Sequence, residues 1–439
     1  MLIANGTLVT FGDENELIPN GALLIEGNRI VAVGTTTELT ERYQHEEILD
    51  ARGRLIMPGM ICGHTHFYGA FARGMSLKTE PPSDFPQILE YLWWRLDKAL
   101  NSDDVRFSAL VSLVDAIRNG TTTLIDHHSS PNAVAGSLDV IAEAVTEAGL
   151  RACLCYEVSD RDGEEIALEG IRENERFIKE ASGDLLAGTF GLHASLTLSD
   201  ETLQRAVEAA GDLNVGFHIH VAEAQADVAD SLKKSGLRVV ERLEKAGILG
   251  EKTIAAHCVH IDAYETDTLR ETGTKVVHNP RSNMSNAVGV ADVLRMLRRG
   301  IVVGLGNDGF SNDMFSEMKT TYLLHKLAQE DPRVMGADQV LEIGVRNNAR
   351  IAGLFFPKAL GALSVGAHAD IILLDYVPTT PLDADNLPWH LIFGMNGGQV
   401  STTIVGGQVL MRDRELLTLD EEAICARSRE LARNLWLRM

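Results

Sequence analysis

Two pairs of histidines stand two residues apart in this sequence, His64 with His66 and His218 with His220. In an extended strand residues i and i+2 point to the same side, so each pair can aim two imidazoles at one place. His220 carries a further signal, because Glu223 follows it by three residues. Asp308 comes after the apolar run Ile301 to Leu305 and the pair Gly306-Asn307, and it offers an anionic oxygen. His64, His66, His220 and Asp308 would supply three neutral imidazoles and one carboxylate. That ligand set suits a catalytic Zn²⁺ or Fe²⁺ ion and leaves an open position for water. A closed structural zinc site would be cysteine-rich. No Cys-x-x-Cys occurs here, which also sets aside the zinc deaminases built on His-x-Glu and Cys-x-x-Cys.

Such a constellation needs elements that bring distant residues to one pocket. From about 58 to 360 the chain repeats one pattern: an amphipathic helical stretch ends in Gly and a short apolar strand follows. Asn119-Gly120 precedes Thr121 to Ile125, Ala148-Gly149 precedes Arg151 to Tyr156, and Arg299-Gly300 precedes Ile301 to Leu305. Gly after a helix takes the left-handed terminating conformation without steric cost. With Ile61 to His66, Leu186 to Leu192, Val215 to Val221, Thr253 to His257 and Lys275 to His278, the strands number eight. Eight buried strands alternating with helices predict a (β/α)8 barrel, with an open doubly wound sheet as the rival. Ser102 and Ser199 are expected to cap helices with acidic first turns.

A barrel works at the C-terminal ends of its strands. Those ends read His64-Thr65-His66, Asp126-His127-His128, His193, His218 and His220 with Glu223, His257, His278-Asn279 and Asp308. Both termini are different. Short strands at Leu2 to Thr10, Ala22 to Glu26 and Arg29 to Val33, with a turn at Glu26-Gly27-Asn28-Arg29, fill residues 1–57. Strand-like runs return at Ala369 to Asp375 and around Gly406-Gly407, within 361–418. One small β-sandwich domain built from both termini, with the barrel of 58–360 inserted, explains both. Residues 419–439 form a helix whose face Ile424, Ser428, Leu431 and Leu435 packs on the barrel or on a neighbouring subunit.

With 40 Lys plus Arg against 62 Asp plus Glu in 439 residues, the formal charge is −22. There is no basic excess for a nucleic acid or an anionic membrane surface, so the expected partner is a small molecule. No run approaches the ~18 to 20 apolar residues of a spanning helix, and the first residues, MLIANGTLVTFG, lack the features of a signal peptide. Cys62, Cys153, Cys155, Cys258 and Cys425 make no even disulfide set, which fits the cytoplasm.

The ordered motifs Met57-Pro58-Gly59-Met60-Ile61-Cys62-Gly63-His64-Thr65-His66, His220-Val221-Ala222-Glu223, Ala256-His257-Cys258, His278-Asn279-Pro280-Arg281-Ser282-Asn283 and Gly306-Asn307-Asp308-Gly309 resemble the amidohydrolase superfamily. The likeness is to its cytosine-deaminase-like and chlorohydrolase-like branch. Leu92-Trp93-Trp94-Arg95-Leu96-Asp97, Ile125-Asp126-His127-His128 and Phe393-Gly394-Met395 are similar to the SsnA-type aminohydrolases within it. The resemblance implies one divalent metal, zinc ahead of iron, on His64, His66, His220 and Asp308. It implies that Glu223 and His257 flank the attacking water and that His193 lines the substrate pocket. Two-metal members carry a bridging Lys or Glu at the end of strand four, where this chain has Leu192-His193. The expected activity is hydrolytic deamination of an aminated nitrogen heterocycle such as a purine, a pterin or a related base. Release of ring chloride or of an amide is the alternative within enzymes, and a non-catalytic ligand-binding module is the alternative outside them. Barrels of this type often pair into homo-oligomers.

Other residues carry competing readings. His218 reads as a buried neighbour of the site and Cys258 as an inert thiol. Of the adjacent His127 and His128, only one can face the pocket if the strand continues. Trp93 and Trp94 lie in a helical stretch and pack there, unless one of them caps the pocket. Arg281 meets either an anionic substrate group or a loop carboxylate. His45, His368 and His390 fall outside the pattern of strand ends and read as structural or surface residues.

Overall fold

The computed structural model describes residues 1–12 and 15–439. Its central strands are Met60–Thr65, Thr121–Asp126, Arg151–Leu154, a fourth in two pieces at Leu186–Gly188 and Phe190–Ala194, then Phe217–Val221, Ile254–His257, Lys275–His278 and Val303–Leu305. All pair in parallel with their sequence neighbours, as two sheets. Isolated parallel bridges, Val158 to Leu192 and Thr65 to Asp308, join the sheets at both edges and give a (β/α)8 barrel. The fourth strand breaks at Thr189 because it changes partner there: the Thr189 amide donates to Leu154 on strand three, and the Phe190 amide to Gly216 before strand five.

The helix-ending glycines behave as their position requires. Gly120 has a φ of 75° and closes helix Ser102–Asn119; a Cβ there would also lie 3.0 Å from Ile372 and Val400 of the terminal sheet. The cap of that helix is Asn101 rather than Ser102: its side chain accepts from the Asp104 amide, and Asp104 in turn accepts from the Asn101 amide. Ser199 caps helix Asp200–Ala210 as expected, accepting from the Thr202 amide.

Strands Leu2–Val9, Leu17–Glu26, Arg29–Thr35, Ile48–Asp50 and Leu55–Pro58 join Ile371–Leu374, Val400–Val405, Gln408–Arg412 and Glu415–Leu416 in one nine-stranded sheet. The sheet curls over its own apolar face, so that Ile30 from one end and Ile404 from the other share a core with Ile56 and Leu373. A single residue, Gly59, separates its strand Leu55–Pro58 from the first barrel strand; a Cβ there would come within 2.1 Å of the Thr122 hydroxyl. A buried, two-pronged ion pair fastens the two parts further on, with Arg151 Nε and Nη2 at 3.0 and 3.1 Å from the Asp370 carboxylate. Helix Glu421–Arg438 buries Ile424, Ser428, Leu431 and Leu435. It lies against helix Ser102–Asn119, held by ion pairs Arg118–Glu421, Arg427–Asp103 and Arg438–Asp104. That apolar face is thus covered within the chain.

Candidate active site

The first barrel strand delivers His64 and His66 side by side, and the fifth delivers His220 opposite them. His66 Nε2 stands 3.2 Å from His220 Nε2 and 3.0 Å from Asp308 Oδ1; His64 Nε2 stands 3.5 Å from the same oxygen. The remote ring nitrogens are all engaged. His66 Nδ1 donates to the His127 carbonyl at 2.6 Å, His220 Nδ1 donates to the His193 carbonyl at 2.8 Å, and His64 Nδ1 meets His218 Nε2 at 2.8 Å. A ring nitrogen that donates to a carbonyl leaves the other with its lone pair free, which is how proteins fix ligating histidines. Here the free lone pairs converge on the Asp308 oxygen. His64 Nε2 and His257 Nε2 are buried and have no hydrogen-bond partner among the described residues.

Donor atoms of His64, His220, His257 and Asp308 lie within 4.8 Å of one another, as do those of His64, His66, His127 and His220. Several nitrogen lone pairs and a carboxylate turned inward on one buried point repel one another unless a cation lies between them. The donor set therefore fits a divalent metal, and its imidazole-rich composition suits zinc or iron.

Glu223, Asp308 and His257 come from the ends of strands five, eight and six and lie together beside these imidazoles. Glu223 Oε2 is 3.6 Å from His257 Nε2, and His257 Nδ1 donates to Asn283 Oδ1 at 2.7 Å. Burial pushes the Glu223 carboxyl well above its ordinary range, and the charges of Asp308 and Asp227 add to the effect. Burial acts the same way on Asp308, but the His64 and His66 imidazoles beside it prevail and hold it well below the carboxylate range. His257 is lowered by burial and stays neutral. Two neighbouring carboxyls pushed apart in this way can divide acid and base work between them. His257 and Asp308 both adopt left-handed backbone, with φ of 71° and 56°. Such conformations in residues other than Gly cost on the order of 1–3 kcal/mol each and cluster at functional sites.

The pocket above is lined by His66, His220, Glu223, Asp308 and His193, with an apolar wall of Tyr68, Phe85, Leu89, Trp93 and Trp94. Both tryptophans thus face it. Gly69 and Gly309 lie opposite Trp93, where a Cβ on either would make ordinary van der Waals contact with the indole at 3.5 to 3.6 Å. His193 lies at the pocket wall, with Nδ1 on the Thr197 hydroxyl at 2.7 Å. His218 is a buried neighbour of His64. Of the adjacent pair, His127 belongs to the site and His128 turns to the Ser130 hydroxyl. Arg281 is taken up by Glu317 at 2.6 Å. Cys258 is fully buried, which raises its thiol far above reactive range. His368 and His390 are buried away from the site and His45 is exposed.

Other polar groups of the pocket, Glu157 and Asp97 among them, had no role in the sequence reading. Glu157 follows the third strand, and its Oε1 lies 3.0 Å from His127 Nδ1 and 3.3 Å from His66 Nδ1. Burial opposes its ionisation, but His127, His193 and His66 hold its carboxyl well below the usual range. The signal was available: the third strand also ends in a polar residue. Asp97 and Arg161 pair along the other wall, with Trp94 stacked beneath the guanidinium at 5.5 Å.

A (β/α)8 barrel with an imidazole-and-carboxylate centre at its strand ends defines a class of hydrolases acting on carbon–nitrogen bonds other than peptides. Residues 55–410 match the amidohydrolase family, and the chain belongs to it. It is 33% identical over 449 residues to a 5'-deoxyadenosine deaminase of Methanosarcina mazei, covering 100% of this chain and 99% of that one. It is 34% identical over 425 residues to a 5-methylthioadenosine/S-adenosylhomocysteine deaminase of Desulforudis audaxviator, covering 94% and 95%. A zinc-bound adenosine deaminase of Xanthomonas campestris shares the fold, with a TM-score of 0.88, 23% identity, and coverage of 99% and 98%.

Proposed function

We propose that this enzyme removes the exocyclic amino group of an adenine-type ring, releasing ammonia, with one zinc ion held by His64, His66, His220 and Asp308. The observation that carries the reading is the convergence of free imidazole nitrogens and Asp308 Oδ1 on one buried point, with Glu223 and His257 beside it. A divalent cation in such a site acts as a Lewis acid and lowers the pKa of water from 15.7 towards about 7. Everything else falls to the chain. Asp308, kept anionic by His64 and His66, accepts the proton of the attacking water. His257, neutral and anchored through Nδ1 to Asn283, turns Nε2 towards the same water and orients it. Glu223, which burial keeps protonated, delivers its proton to the ring nitrogen next to the carbon under attack. The tetrahedral carbon then collapses: its hydroxyl proton passes to Glu223, the proton held by Asp308 goes to the amino group, the C–N bond breaks, and ammonia leaves with a carbonyl remaining.

The apolar wall of Tyr68, Trp93 and Trp94 suits a flat heterocycle, and His193 offers it one polar contact. The names of the relatives favour a purine 5'-deoxynucleoside as the first substrate to test. Five cysteines without a disulfide among the described residues support a reducing, cytoplasmic setting. An ammonia-coupled screen of 5'-deoxyadenosine, other aminated purines, pterins and pyrimidines tests the activity, with Glu223→Gln as control. The expected result is turnover by the zinc-loaded enzyme and a loss of about 10² to 10⁴ in kcat for the variant. Chloride release from a chlorinated triazine without ammonia release from any amine would replace this reading with the chlorohydrolase one.

A further inference from the structure

The catalytic reading uses Asp308, His257 and Glu223, which come from three different strands and need a common support. That support is the short helix Pro280–Ser285 and its C-terminal cap Asn286, which follow the seventh strand. Ser282, nearly fully buried, donates its hydroxyl proton to Asp308 Oδ2. Asn283, fully buried, holds His257 Nδ1. Asn286 lines the pocket and places Nδ2 at 3.3 Å from Ser282 Oγ and 3.4 Å from Glu223 Oε1.

Donor counting gives this arrangement a direction. A serine hydroxyl has one proton, and Ser282 spends it on Asp308, so its oxygen is left to accept. An asparagine amide nitrogen has two protons, one for Ser282 Oγ and one for Glu223 Oε1. The chain therefore starts at the Asn286 amide and points outwards to a carboxyl at each end. Each carboxyl is left with one oxygen facing the bridge and one facing the chemistry. Asp308 turns Oδ1 to His64 and His66, and Glu223 turns Oε2 to His257. An oxygen already receiving an N–H bond is the poorer place for a proton.

We propose that Ser282 and Asn286 are positioning residues that form one directional hydrogen-bond bridge between Asp308 and Glu223 and so assign the Glu223 proton to Oε2, towards the reacting ring. This rests on the deaminase reading above and adds to it the oxygen from which the proton leaves. A bridge that only filled space would leave chemistry untouched once the protein was folded.

The test is a double-mutant cycle on the zinc-loaded enzyme, Ser282→Ala against Asn286→Leu, with kcat, KM and zinc content measured for each variant and Asn286→Gln as the conservative replacement. The expected result is a fall in kcat of about 10-fold to 10²-fold for each single variant. KM should move less than threefold, zinc content should not change, and the double variant should lose no more than the worse single one. Asn286→Gln should recover at least part of the rate. Independent losses that multiply in the double variant, or variants at full kcat while Glu223→Gln is dead, would overturn the bridge and leave the deaminase reading standing. A second readout needs no turnover: the carboxylic C=O infrared band that disappears in Glu223→Gln. With the proton on Oε2, Oε1 is the carbonyl oxygen that Asn286 bonds, so Asn286→Leu should move that band to higher wavenumber. An unmoved or absent band overturns the proposal, even if every substrate in the screen fails.

Discussion

Glu157→Gln perturbs the candidate metal centre while leaving each proposed ligand in place. The carboxylate is 3% exposed, and its Oε1 serves two rings, His127 Nδ1 at 3.0 Å and His66 Nδ1 at 3.3 Å. Gln keeps an acceptor oxygen of the same reach, so what is lost is charge. His66 also keeps its bond to the His127 carbonyl at 2.6 Å, so the ring stays oriented. Outer partners that raise the basicity of a ligating histidine are worth roughly 10- to 100-fold in metal affinity, or about 1.4 to 2.7 kcal/mol. Because one oxygen serves two rings and no water can replace its charge, the expected loss lies in the upper half, about 30- to 100-fold. Zinc affinity measured by competition with a chromophoric chelator gives the number, with His66→Asn alongside as loss of a ligand. A change under threefold would refute the electrostatic argument. So would a loss as large as that of His66→Asn, since Glu157 would then act as a ligand itself.

Dialysis against a chelator should abolish turnover, and added zinc should restore it. At 1,000 times the dissociation constant, zinc should also stabilise the fold by about 4.1 kcal/mol; an unchanged thermal midpoint with and without zinc would count against the site. Arg151→Met leaves Asp370 buried with the Gly406 amide, at 2.8 Å, as the remaining partner of its carboxylate among the described residues. It should cost about 3–5 kcal/mol in urea unfolding, and Arg151→Met with Asp370→Leu should recover most of that; a single variant as stable as the parent would show that the pair fastens nothing. Burial raises the Asp97 carboxyl from 3.8 to about 6, against the pull of Arg161. The folded state then holds this proton more tightly than the unfolded one, so the contribution is full below pH 3.8 and fades as pH rises through about 6. Relative to Asp97→Asn, the parent should gain about 1.4 kcal/mol on going from pH 7.5 to pH 5; the opposite sign would mean that Arg161 dominates.

Much of the site was readable because each barrel strand announces its end by a change from apolar to polar residues. His64, His66, His193, His220, His257 and Asp308 all stand at that change; His66, His193, His220 and Asp308 line one pocket, and donor atoms of His64 and His257 lie within 4.8 Å of those of His220 and Asp308. Glu157 escaped because the third strand ends without the imidazole or aspartate that marks the other strand ends. Ser282 and Asn286 escaped for a different reason: they act from a helix, where no periodicity separates a residue facing a pocket from one facing solvent. The cap at Asn101 was displaced by one residue because Asn and Ser are nearly equal in that role. The curl of the terminal sheet depends on pairing between strands some 300 residues apart, which no local pattern encodes.

That long-range pairing sets a timetable for biosynthesis. Strand Leu55–Pro58 leaves the ribosome early, yet its neighbour Ile371–Leu374 emerges about 300 residues later. At roughly 5–20 residues per second, that is a wait of about 15 to 60 s with one hydrophobic edge unpaired. Throughout it the nascent polypeptide offers chaperones a predictable binding stretch immediately upstream of the histidines.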